Sequence, residues 1–368
     1  MNIKKQLQGM ASYKPGMTPA QVQRDLGLEK IVKLSSNENP YGPSPKAVQA
    51  ALESMQGAAI YPDGYGLNLK LALAERYQLS KEHFILGNGT DEIIMILCRA
   101  LLDATSNTVA PTPSFSQYLH NAQIEGCEMR EVELIDGAHD LNGMLKQIDE
   151  QTKIVWLCNP NNPTGVYMNT EDFHAFMQQV PSHVLVVSDE AYVEYVTADD
   201  FPDTIQALEQ YKNLIILRTF SKAYGLAGMR IGYGIGAPDF IQGVDPARGP
   251  FNTSVPAQAA AVAAIADVDY LERTRTENAV VRKTFVEFCK EQGLDVYPSE
   301  TNFVLVDFKR PAAEIYDALL QKGYIVRSGA ALGYPEAVRI TVGTKEDMNG
   351  LQSAIQELRQ EQLSGEAQ

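Results

Sequence analysis

The chain has 368 residues, 45% of them hydrophobic and 21% charged, with a formal net charge of −15. That length suits two domains better than one small core. No apolar run approaches the roughly 18 residues that a membrane-crossing helix needs, and an acidic surface repels nucleic acid and anionic lipid at long range. The basic start MNIKKQLQGM has no apolar segment behind it and does not read as a secretory signal. Cys98, Cys127, Cys158 and Cys289 are scattered without metal spacing, the pattern of reduced core thiols in a cytoplasmic protein.

Residues 1–30 are weakly patterned and are expected to form an N-terminal arm lying on a partner or on the main body. From about Pro45, short apolar runs alternate with amphipathic stretches. Strands are expected at HFILG (83–87), NTVA (107–110), EMREVEL (128–134), KIVWLC (153–158), HVLVVS (183–188), NLIILRT (213–219) and RIGYGIG (230–236). Helices are expected at DEIIMILCRALLD (91–103) and EDFHAFMQQV (171–180). Such alternation is the mark of an α/β fold whose sheet is mostly parallel and covered by helices, and it assigns residues 31–246 to a large domain. After about Ala247 come an Ala-rich helix (256–266), a long helix (271–292), strands at NFVLVDF (302–308) and VRITVG (338–343), and a last helix. These predict a smaller α/β domain over 247–368.

Ligands of open α/β sheets collect outside the carboxyl ends of the strands. Asn162, Asp189 and Lys222 each follow an apolar strand run. Taken singly, they read as a turn residue, a helix N-cap and a surface lysine. Taken together, a desolvated lysine can act as a nucleophile toward an aldehyde, and a carboxylate can hold a ring nitrogen protonated. GNGTDE (87–92) joins a strand to a helix and offers Thr90, Asp91 and backbone N–H groups to an anion. Ser221 and Arg230 in SKAYGLAGMR add a hydroxyl and a guanidinium. Phe115 can stack on a planar ring or fill the core, and Tyr192 lies three residues after Asp189. GYGIG (232–236) lacks the spacing of a dinucleotide motif, and His/Cys/carboxylate clusters suited to a metal are not evident.

The strings SNENP (36–40), NPNNPTG (159–165), DEAY (189–192), SKAYGLAGMR (221–230) and VRITVGT (338–344) occur in this order. Together they resemble the fold-type I pyridoxal 5′-phosphate (PLP) aminotransferases. YPDGYG (61–66) and the short N-terminal segment point toward the histidinol-phosphate aminotransferase branch. The resemblance implies that Lys222 attaches the cofactor and shuttles a proton, that Asp189 pairs with its ring nitrogen, and that Tyr192 and Asn162 contact its phenolic oxygen. It implies that Phe115 stacks on the ring and that Thr90, Asp91, Ser221 and Arg230 hold the phosphate. Tyr61 is implied to reach a neighbouring subunit's cofactor, hence a homodimer. Arg327 and Arg339 would bind the phosphate of histidinol phosphate or the carboxylate of glutamate, while Tyr13 and Asn37 close over the substrate. The expected partners are a small-molecule amino donor and a phosphorylated keto acceptor. An aminotransferase for aromatic amino acids, a PLP lyase or decarboxylase of the same fold, and the sensor half of a transcription regulator are the alternatives. The last has no room for a DNA-binding domain before Ser36.

Overall fold

The computed structural model describes residues 3–12 and 16–365. In chain order its first elements are α1 (Pro19–Leu26), β1 (Val32–Lys33), α2 (Pro45–Ser54), α3 (Leu67–Tyr77), β2 (Phe84–Gly87), α4 (Thr90–Leu101), β3 (Asn107–Thr112), α5 (Gln117–Glu125), β4 (Glu128–Glu133) and α6 (Leu141–Lys146). There follow β5 (Thr152–Cys158), α7 (Thr170–Met177), β6 (Leu185–Asp189), α8 (Thr204–Ala207), β7 (Leu214–Thr219), β8 (Gly232–Gly236), α9 (Pro238–Val244) and α10 (Val255–Ala266). The rest is α11 (Val268–Glu291), β9 (Asp295–Val296), β10 (Phe303–Asp307), α12 (Ala312–Gln321), β11 (Tyr324–Ile325), β12 (Arg327–Ser328), β13 (Ala337–Thr341) and α13 (Lys345–Gly365).

Seven strands form the large sheet in the order β2-β8-β7-β6-β5-β3-β4. Only β8 runs antiparallel to its neighbours. Helices cover both faces, so the central strands are buried on both sides and read as near-continuous apolar runs: Ile154–Val155–Trp156–Leu157, Val186–Val187 and Leu214–Ile215–Ile216–Leu217 are all buried. β5, β6 and β7 are adjacent and in register, with Cys158 opposite Asp189 and Asp189 opposite Leu217. Their carboxyl ends therefore open side by side.

A second sheet, β12-β13-β10-β9, is antiparallel. Phe285, Leu319, Leu351 and Ile355 from α11, α12 and α13 pack on its Val304, Val306 and Ile340 in a separate core.

Packing moves two expected boundaries. The Ala-rich helix α10 belongs with the large sheet, not with the second domain: Ala257, Ala260, Ala261 and Ala264 share its core with Ala47 and Ala51 of α2. Small side chains let these helices approach closely, and that preference outweighs sequence position. At the other end, β1 pairs in parallel with β11, Leu34 enters the second core, and Val22 of α1 packs on Leu320 and Ile325. The α1 part of the expected arm is thus anchored to the smaller unit, whereas Lys4 pairs with Glu125 of α5 on the larger one. Strand RIGYGIG begins only at Gly232, because Arg230 adopts φ 54.

Candidate active site

The loop after β5, the end of β6 and the loop after β7 meet at one cavity of about 820 Å³ between the two sheets. Lys222, Asp189, Asn162, Tyr192, Phe115, Thr90, Asp91, Ser221, Arg230, Arg327, Arg339 and Asn37, each expected from the sequence, all line it. Four of these are cations, Lys222, Arg230, Arg327 and Arg339, inside a protein of net charge −15. Against the carboxylates Asp91, Glu131 and Asp189, these cations give the lining a small positive excess suited to anions.

Asp189 ends β6 and is 3% exposed. Its Oδ2 accepts the Tyr118 hydroxyl at 2.6 Å, and its Oδ1 has no hydrogen-bond partner. Burial pushes its pKa up to about 6, while the Tyr118 hydrogen bond works against that rise. An orphaned carboxylate oxygen in a buried site calls for a donor, and a protonated ring nitrogen is one.

Lys222 lies in the turn after β7, held where Gly225 (φ 70) comes so close to the Gly42 carbonyl that a Cβ would collide with it. Lys222 Nζ donates to the Ser36 carbonyl at 3.1 Å and sits 5.7 Å from the Tyr192 ring centre. Burial, aided by the Arg339 charge, lowers its pKa to about 8. A sizeable fraction is therefore the neutral, nucleophilic amine near neutral pH.

Tyr192 Oη accepts from Asn37 Nδ2 at 3.0 Å and from Asn162 Nδ2 at 3.3 Å. With two amides donating to that oxygen, its own proton is directed to another acceptor. Asn37 sits at φ 57, its backbone N–H and carboxamide both tied to Thr341 Oγ1. The SNENP segment is thereby pinned to β13 at the cavity wall.

An anion cradle lies at the start of α4. No side chain caps this helix, whose N-cap Gly89 has φ 81. A Cβ on Gly89 would run into the Arg230 guanidinium, so glycine keeps that space open. Arg230 Nη1 donates to Ser221 Oγ at 3.3 Å. The Asp91 carboxylate pairs with Arg230 Nη2 at 3.6 Å, so Asp91 offers an anion its backbone N–H and not its side chain. The residues present therefore fit a phosphorylated pyridine aldehyde at three separate points: amine, carboxylate and cradle.

Across the cavity Arg327 on β12 stands opposite Arg339 on β13. Arg339 donates to Asn162 Oδ1 at 2.6 Å and to the Ser35 carbonyl at 2.8 Å, and it lies 5.2 Å over the Phe303 ring. Arg327 has no hydrogen bond or ion pair among the described residues and remains available to a ligand anion.

Tyr61 does not enter this cavity. It is 79% exposed and stacks on Phe251 with ring centres 4.7 Å apart. Tyr13 lies outside the described residues. Tyr118 is the residue that sequence reasoning passed over: it precedes no motif, and its link to Asp189 spans 71 positions. The four cysteines are free and buried. Among the described residues, no helix is long and apolar enough to cross a membrane and no side-chain cluster suits a metal ion.

The profile of the aminotransferase class I and II family matches residues 29–355. The chain is 52% identical to a histidinol-phosphate aminotransferase of Halalkalibacterium halodurans, over 99% of both chains. It is 54% identical to that of Bacillus pumilus, over 98% of this chain and 99% of the relative. Among solved structures it is similar to the histidinol-phosphate aminotransferase of Sinorhizobium meliloti in complex with pyridoxal 5′-phosphate. That likeness has a TM-score of 0.88 and 30% identity, and it covers 98% of each chain.

Proposed function

This chain belongs to the class I and II aminotransferase family, and we propose that it moves an amino group between glutamate and the keto form of histidinol phosphate in histidine biosynthesis. The observation that carries this reading is the meeting, in one cavity, of a lysine of lowered pKa, a buried carboxylate with a free oxygen, an anion cradle and a second basic pair. One anion site serves the cofactor phosphate and leaves Arg327 and Arg339 for the substrate.

Pyridoxal 5′-phosphate, when bound, supplies an aldehyde for covalent attachment and a ring that withdraws electrons from the substrate α-carbon. The protein positions and protonates. Lys222 would be the attachment point, and its Nζ, when free, would take up and return the α-carbon proton. Asp189, ionised above about pH 6, holds the ring nitrogen protonated through Oδ1. Tyr192 would direct its hydroxyl proton to the phenolic oxygen, Phe115 would cover the ring face, and Thr90, Asp91, Ser221 and Arg230, which line the same cavity, would hold the phosphate. Arg327 and Arg339 present planar forks to whichever anion the substrate carries, the phosphate ester or the carboxylate of glutamate. Both substrates thus use one site in turn, as a ping-pong exchange needs. Asn37 and Tyr13 are assigned to closing over the substrate.

The finer reading is a cytoplasmic homodimer. Leu52, Met55, Ile60, Tyr61 and Tyr65 form an exposed apolar surface on α2 and the segment before α3. A second copy covering this apolar surface would bring Tyr61 toward that copy's phosphate cradle.

The test is glutamate production from 2-oxoglutarate with histidinol phosphate, histidinol or phenylalanine as donor. Histidinol phosphate should exceed both others by at least about tenfold in kcat/KM, since a charged phosphate–arginine contact is worth about 1.5–3 kcal/mol. Equal use of phenylalanine would make the chain an aromatic aminotransferase; carbon dioxide as product would make it a decarboxylase.

A further inference from the structure

Behind Asp189 lies a buried polar relay that the aminotransferase reading does not use. The Tyr118 ring stacks on Trp156, with centres 4.7 Å apart and planes inclined by 12°. The Trp156 indole N–H donates to Thr108 Oγ1 at 2.8 Å, and that hydroxyl donates to the Ile154 carbonyl at 2.8 Å. Tyr118, Trp156 and Thr108 are at most 1% exposed. Both ends of the stack are therefore fixed: Trp156 by a hydrogen bond to β3, Tyr118 by its place on α5 beneath Phe115, whose ring meets it edge-on at 5.6 Å. A phenol so confined has one use for its proton, and it gives it to Asp189 Oδ2 at 2.6 Å.

We propose that Tyr118 is a positioning residue for Asp189: its hydroxyl occupies Oδ2, fixes the carboxylate's rotation, and leaves Oδ1 as the one oxygen for the cofactor's ring nitrogen. The proposal builds on the PLP reading of the site. It follows from hydrogen-bond count and rigidity. A buried carboxylate with no donor becomes neutral; one with a fixed side-chain donor on one oxygen is held nearer its ionised form and keeps the other oxygen free. Besides Tyr118, the Ala191 backbone N–H also favours the ionised carboxylate, and the side chains facing Asp189 offer no substitute for the phenol. The Cys158 thiol at the end of β5 is a weak donor turned to the Pro160 carbonyl, and Asp91 on α4 and the neighbouring Glu190 are of like charge. Tyr192 is occupied by Asn37 and Asn162, and Lys222 Nζ points to Ser36.

The direction of the effect can be derived. A carboxylate must be ionised to bind a ring N–H⁺, so cofactor affinity falls as pH drops through the Asp189 pKa. The Tyr118 hydrogen bond lowers that pKa, so its removal raises it, and the loss of affinity begins at a higher pH.

Trp156 is the chain's only tryptophan, so its fluorescence reports cofactor binding without an activity assay. Apoenzyme of the parent, Tyr118→Phe, Asp189→Asn and the double variant is titrated with pyridoxal 5′-phosphate from pH 5.5 to 8.5, and Trp156 quenching gives the dissociation constant. Tyr118→Phe keeps the stack and removes only the hydroxyl. Its affinity should fall about tenfold at pH 7, with the acid-side midpoint moved up by about one pH unit. In the Asp189→Asn background the same change should cost under about twofold. An equal loss at every pH, no loss at all, or a full loss in the Asp189→Asn background would each overturn the role. If the parent itself does not bind the cofactor, the PLP reading has failed, independently of Tyr118.

Discussion

Arg339 Nη1 donates to Asn162 Oδ1 across 2.6 Å, and this bond joins β13 of the smaller sheet to the loop after β5 of the larger one. One guanidinium thus faces the substrate space and also fixes the amide that steadies the Tyr192 hydroxyl. Arg339→Lys keeps the charge and loses the fork. It should lower kcat/KM by about 10- to 100-fold for glutamate and histidinol phosphate alike, because both anions and Asn162 lose a charge-assisted hydrogen bond. Steady-state kinetics with each donor checks this; a loss confined to one donor contradicts the shared anion site.

The same arginine adds to the effect of burial on the reactivity of the lysine. Lys222 is lowered to about 8, chiefly by burial and next by the Arg339 charge. Only the neutral amine attaches an aldehyde, so the rate at which apoenzyme captures the cofactor should rise with pH through about 8 and then level off. Arg339→Gln removes a cation that disfavours the ammonium, so the midpoint should move to higher pH. Stopped-flow quenching of Trp156 measures both. An unchanged midpoint in the variant would mean that burial alone governs Lys222.

Glu194 is a second test of the buried electrostatics. Both carboxylate oxygens are buried without a partner, and burial lifts its pKa from 4.5 to about 7 against the pull of Arg218. In the folded state it stays protonated up to about pH 7, whereas the unfolded chain ionises near 4.5. Stability therefore drains away as pH climbs through that window. Glu194→Gln is neutral throughout, so its melting temperature should gain on the parent between pH 5 and 7, by about 2 °C or more, and level off above. A difference that does not vary with pH contradicts this reading.

Much of this site was legible because its residues sit at predictable places. Asn162, Asp189 and Lys222 follow strands whose apolar runs are unmistakable, and strand order brings those ends together. The glycines of GNGTDE, just before α4, mark the cradle. What stayed hidden depends on tertiary pairing. β1, β9, β11 and β12 are two residues long and exist only because a neighbour supplies hydrogen bonds. α10 reads the same whether it packs on α2 or on the second sheet; its alanines decide only once α2 is present. Tyr118 carries no local signal at all, since nothing in QYLHNAQIE distinguishes a buried phenol from a core ring.

The exposed surface around Tyr61 predicts assembly. Leu52 and Tyr61 are 62% and 79% exposed, and a second copy would cover them. Leu52→Asp should yield a monomer by sedimentation velocity, and, if a second copy's Tyr61 completes the cradle as proposed, cofactor affinity should fall with it. A monomer that binds the cofactor as tightly as the parent would remove Tyr61 from the site.

The most direct measurement is the half-reaction. The cofactor-loaded enzyme is mixed separately with glutamate, histidinol phosphate and phenylalanine, and the decay of the cofactor's visible absorbance is followed in a stopped-flow instrument. Rapid decay with glutamate and with histidinol phosphate, and at least about tenfold slower decay with phenylalanine, is the predicted result. Rapid decay with phenylalanine and none with histidinol phosphate would contradict it and return Arg327 and Arg339 to carboxylate binding alone.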